Sequence, residues 1–142
     1  MLAHAAPRLT APQGMSPLIR SRHLIAIIRN LFSSGASLET VNLSLDELLQ
    51  NLENHLLHHL GDDFYEESVF SNPWLTRASE ALRQQQIEVE TALEQLRRSS
   101  QQLDQSKVPP KEFQEDFEHC MVLFHDHEGA IQMFVQCGNN TF

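Results

Sequence analysis

Four stretches of this chain place apolar residues at helical spacing, and each is bounded by a residue that starts or stops a helix. Ser16-Pro17 offers a hydroxyl N-cap and a first-turn proline ahead of Leu18, Ile19, Leu24, Ile27, Ile28, Leu31 and Phe32, and Gly35 closes that run. Ser44-Leu45-Asp46-Glu47 has the form of a capping box, in which the Ser hydroxyl and the Glu carboxylate each satisfy an end amide. It predicts a helix start at Ser44, with Leu45, Leu48, Leu49, Leu52, Leu56 and Leu60 on one stripe out to about Glu67. Asn72-Pro73 repeats the cap-plus-proline signal before Leu75, Ala78, Leu82, Val89, Leu93 and Leu96, at spacings of three, four and seven. Pro109-Pro110 opens the last run, with Phe113, Phe117, Met121, Phe124, Ile131 and Phe134 inward and Gly138 as its stop.

Four amphipathic helices on short links predict an all-α fold, an up-down-up-down four-helix bundle. The expected organisation is a flexible leader over 1–15, with Met15 as an alternative start, the bundle over 16–138 and a tail over 139–142. The polar connection from Ser99 to Val108 reads as the loosest link. At 142 residues the chain is long enough for a core without staples.

Charge narrows the partners. A net charge of −9 with only 10 Lys and Arg leaves no basic face for phosphates, so no nucleic acid is expected. No apolar run reaches the length of a membrane span, so no membrane is expected either. Cys120 and Cys137 do not form a disulfide framework, which suits a reducing compartment, and a cytoplasmic protein is the expectation.

The informative residues are polar groups that fall on the apolar stripes. His59 and Asp63 continue the Leu45–Leu49–Leu52–Leu56 stripe, and residues four apart share a helix face, so the two can hold one ion together. The same pair also reads as a solvated or ion-paired face, with His55 and His58 crowding it. His127 lies between Phe124 and Ile131, where a satisfied core histidine is the alternative to a ligand; His125, Asp126 and Glu128 read as outward. Gln86 lies between Leu82 and Val89 with Glu90 one turn on, and His23 lies one turn before Ile27. Unpartnered, each such buried group costs about 1–3 kcal/mol, so they are expected to satisfy one another, a metal or water. Gly61 and Gly129 each follow a candidate ligand by two residues, and close helix approach is one reason for a helical glycine.

In this order along the chain, His23, His59-x-x-x-Asp63 and Phe124-His125-Asp126-His127-Glu128 resemble the hemerythrin-like domain, a helical bundle that binds a non-haem di-iron pair. The resemblance spans about Arg22 to Gln136. It implies His23, His59, Asp63 and His127 as iron ligands, with Asp63 in place of the family's usual Glu and Glu90 as a substitute carboxylate. A second register puts His55 in the histidine position and His59 in the carboxylate position. Gln86 stands where a third-helix His is expected and Ile131 where the fourth-helix carboxylate would be. Two readings follow from the resemblance. One is a reduced iron site, mononuclear or dinuclear, sensing oxygen or redox state with O2 or another small ligand as partner. The other is a metal-free bundle acting on a protein partner in interaction or signalling. No nucleophile with its base and no phosphate loop is evident, so an enzyme, peroxidase-like or ferroxidase, would rest on the metal alone, and a non-enzymatic role is the expectation.

Overall fold

The computed structural model describes residues 16–59 and 76–139, with side chains described for 16–57 and 76–136. These residues form four helices and no strand: α1 (Pro17–Ser34), α2 (Leu38–His59), α3 (Thr76–Gln102) and α4 (Lys111–Asn139). None of the helices among the described residues is long and apolar enough to cross a membrane.

The ends of α1 follow the sequence signals. The Ser16 hydroxyl accepts from the Ile19 amide at 3.1 Å, and Pro17 sits in the first turn, where its missing N–H costs nothing. Gly35 takes the left-handed conformation (φ 75°) that lets the Ala36 amide donate back to the Leu31 carbonyl at 3.0 Å.

The start of α2 does not lie at Ser44. The helix begins one and a half turns earlier at Leu38, and Ser44 and Glu47 are interior to it. Ser37 is the working cap: its carbonyl accepts from Val41 at 3.0 Å and its hydroxyl from the Thr40 amide at 3.4 Å. Leu38 and Val41 extend the apolar stripe backwards and are fully buried, which makes the longer helix the more stable choice. Glu47, freed from capping, accepts from Nε and Nη2 of Arg20 of α1 at 2.7 and 2.8 Å.

The link after α3 is not loose. Gln105 donates its side-chain amide to the Ser100 carbonyl at 2.7 Å and to the Leu103 carbonyl at 3.1 Å. Asn42 of α2 donates to the Ser100 carbonyl at 3.2 Å and to Gln105 Oε1 at 2.9 Å. The first amides of α2 close the tie, Leu38 to the Lys107 carbonyl at 2.8 Å and Glu39 to the Gln105 carbonyl at 3.0 Å. A polar composition here means internal hydrogen bonding, since a helix N-terminus has amides that need acceptors. At the far end, α4 continues through Gly138 to Asn139, so Gly138 is not the stop.

All four helices contribute to one core. α2 supplies seven buried residues, from Leu38 to Leu56, against Leu24 and Ile28 of α1, Leu82, Val89, Leu93 and Leu96 of α3, and Phe113, Phe117, Phe124, Ile131 and Phe134 of α4. α1 packs along α2, α3 along α4, and α2 against α3. Phe32 of α1 meets α4 edge-on, with ring centroids 6.4 Å from Phe113 and 5.5 Å from Phe117. Ion pairs mark three of these seams: Arg20–Glu47, Arg29–Glu118 and Arg97–Glu53. Ile27, read as inward from its spacing, is 40% exposed; Ser21, Leu24 and Ile28 hold the buried face of α1 instead.

Candidate functional site

Apart from the Cys120 thiol, His127 is the one titratable side chain that the described core encloses, at 0% exposure. The aromatic stripe of α4 takes it there, because Phe124, His127, Ile131 and Phe134 recur at three and four residues and share one face. Its Nδ1 lies 2.7 Å from Gln85 Oε1 of α3. Its Nε2 is buried with no hydrogen-bond partner. Burial holds the imidazole below the ordinary histidine range; the charges of Glu128 and Glu90 pull the other way, and His55 adds to the lowering.

The adjacent residue completes a small polar cluster. Glu128 does not point outward: its Oε1 is 2.8 Å from His55 Nε2 of α2, and both side chains are 13% exposed. Its Oε2 is buried without a partner. The His55 ring also packs against Phe124 with centroids 5.9 Å apart. Helices α2 and α3 thus each send one polar side chain, His55 and Gln85, and α4 sends two, His127 and Glu128, into the same part of the molecule. The cluster contains two buried polar atoms, His127 Nε2 and Glu128 Oε2, that lack hydrogen-bond partners.

The other residues singled out from sequence do not join it as anticipated. His23 is exposed on α1, since the buried face of that helix runs through Ser21, Leu24 and Ile28. Glu90 is exposed, and its Oε2 accepts from Gln86 of its own helix at 3.2 Å, although its charge still reaches His127. His59 is the last residue of α2, and its side chain, like the whole of Asp63 and Gly61, lies outside the described residues. Ile131, where the resemblance expects a carboxylate, is buried at 1% exposure. Among the described residues no group of three or more His, Cys, Asp or Glu could hold a metal ion. His125 and Asp126 are exposed as anticipated. Gly129 has open space where a Cβ would go, so no close helix approach requires it.

Gln85 is the residue that spacing passed over. Leu82 and Val89 are bridged equally well by an i+3 or an i+4 step, and the sequence pointed to Gln86. The helix turns Gln85 toward α4 instead, where it also lines an apolar groove of about 360 Å³ with Ala81, Leu82, Ala130 and Met133. Glu128 was legible only through a partner: its acceptance by His55 depends on how α2 and α4 face each other, which no single stripe contains. Compared with known proteins, the chain matches no family model, no curated protein and no solved structure.

Proposed function

We propose that this chain is a hemerythrin-like, up-down-up-down four-helix bundle with a reduced site that holds a single non-haem iron ion in oxygen or redox sensing. One observation carries the reading: His127 Nε2 and Glu128 Oε2 are buried polar atoms with no hydrogen-bond partner. Two such atoms near each other along one helix cost about 1–3 kcal/mol each unless a cation or a water meets them. A di-iron pair does not fit the described residues, because His23 is exposed and Ile131 is apolar. A single ion fits if His127 and Glu128 are joined by the His59 side chain and Asp63, both of which lie outside the described residues. Iron held there would supply a Lewis-acidic, redox-active centre with open positions. The chain's own residues have separate tasks: His127 and Glu128 present donors, His55 orients Glu128, and Phe124 and Ile131 exclude water.

A second reading has its own support. Gln85 and His55 already engage His127 and Glu128, and Gln86 engages Glu90. Such a hydrogen-bonded polar core suits a metal-free descendant of the fold that acts through a protein partner.

Metal analysis and a visible spectrum of the full chain purified after iron-supplemented expression separate the two. The iron reading expects one iron per chain, lost in His127→Ala, and a melting temperature that rises with added iron. Iron-free protein whose melting does not respond to iron overturns it in favour of the second reading.

A further inference from the structure

The contact between α3 and α4 at Gln85 decides more than the position of His127. A neutral imidazole carries one proton, and the nitrogen that bears it is set by what the other ring atom and its neighbours accept. Here Nδ1 faces a side-chain carbonyl oxygen at 2.7 Å, and a carbonyl can only accept. Nδ1 is therefore the N–H donor, and Nε2 is a bare lone pair inside a core of Phe124, Ile131 and their neighbours.

The opposite amide orientation is the costlier one. It would set the Gln85 NH2 against the ring, with one N–H donating to the Nδ1 lone pair. It would also move the imidazole proton to Nε2, leaving a buried N–H with no acceptor. Buried N–H groups without acceptors are rarer than under-used acceptors. In the observed orientation the Gln85 NH2 is not among the buried unpartnered atoms, and the residue borders an open groove through which water can reach it.

We propose that Gln85 is a positioning residue: its carbonyl fixes His127 as the Nδ1–H tautomer and so makes Nε2 the free, electron-donating atom of the interior. This is the arrangement by which a hydrogen bond to one ring nitrogen prepares the other to bind a cation or accept a proton. The Gln85–His127 contact and the buried Nε2 exist whether or not iron binds. A fixed tautomer in protein that never binds iron leaves the proposal intact while the iron reading falls, and iron binding with a mobile tautomer does the reverse.

Long-range proton–nitrogen correlation spectra of the 15N-labelled full chain, freed of metal with a chelator and held at a pH where His127 is neutral, read the tautomer directly. The His127 signals are identified by their loss in His127→Asn. The expected wild-type spectrum has a protonated Nδ1 and an unprotonated Nε2. Gln85→Met keeps side-chain length but removes the acceptor, and the Nε2–H form should gain population at the expense of Nδ1–H. Gln85→Glu restores an acceptor and should restore the Nδ1–H form, a rescue that a purely packing role would not give. A wild-type spectrum with the proton on Nε2, or a Gln85→Met spectrum identical to wild type, overturns the proposal. If Gln85→Met does not fold, Gln85→Leu, which also lacks an acceptor, takes its place with the same expected shift and the same overturning result.

Discussion

Replacing His127 with Leu tests the central claim, that a buried imidazole nitrogen goes without a partner, by a measurement that needs no ligand. Leu has similar bulk and suits the stripe of Phe124 and Ile131 that surrounds the site. The substitution removes the orphaned Nε2, a gain of about 1–3 kcal/mol, and removes the bond to Gln85, a loss of about 0.5–1.5 kcal/mol. Gln85 is half-buried at the edge of a groove, so its freed carbonyl can turn to water and adds little to the loss. The net expectation in metal-free protein is a stabilisation of about 1 kcal/mol, or ~3 °C in melting temperature for a chain of this size. Urea titration and thermal melting by circular dichroism, both with chelator, measure it. A loss of about 2 kcal/mol or more would refute the reasoning, because it would mean that Nε2 has a partner and that the imidazole is an integral part of the core. If the wild type binds iron as proposed, excess iron should reverse the order: ligand at a hundred times its dissociation constant would stabilise the wild type by about 2.7 kcal/mol, and the Leu variant would gain nothing.

Other substitutions probe the frame around the site. Gly129→Ala should stabilise by about 1 kcal/mol, since a Cβ there meets open space and alanine is the better helix former; thermal melting checks it, and a lower melting point would show that the position is covered. Asn42→Ala should cost about 1–3 kcal/mol in urea titration, because it strips the Ser100 carbonyl and Gln105 Oε1 of a donor at once. Acidification should destabilise the protein through His127. Burial depresses its folded-state pKa, so the unfolded chain takes up the proton first: the contribution is whole above the unfolded value near 6.5 and is lost as pH falls from there toward the folded value. Melting curves across that window should therefore steepen in the wild type relative to His127→Leu, and parallel curves would count against a buried neutral imidazole.

The helices and most of their inward faces were legible because period and caps act locally. Ser16-Pro17 and Gly35 work as their chemistry dictates. The capping box at Ser44 misled for an equally physical reason: Ser37 caps the same helix earlier, and the acceptors that satisfy its first amides come from residues 105 and 107, invisible to local reading. The site was half legible. His127 was found because a histidine among Phe124 and Ile131 breaks an apolar rhythm. Its partner was missed by one residue, since 3.6 residues per turn leaves Gln85 and Gln86 on adjacent edges of the same stripe. His23 was singled out by its place one turn before Ile27 as well as by the resemblance, but Ile27 is itself exposed and the inward face of α1 runs through Ser21, Leu24 and Ile28.

The stitch between the start of α2 and residues 105 and 107 has a consequence for how the chain assembles and tolerates change. Two amides of α2 find their acceptors only after the segment following α3 has been placed, so the end of one early helix is completed by a late piece of chain. Such long-range closure belongs on the slow side of folding, and mutations at Asn42 or Gln105 should act chiefly on the unfolding rate. A connecting loop is ordinarily where an inserted peptide, a new terminus or a protease is best tolerated. Here the link between α3 and α4 is a clasp rather than a spacer, and cutting it would free the end of a helix to which it is not joined in sequence.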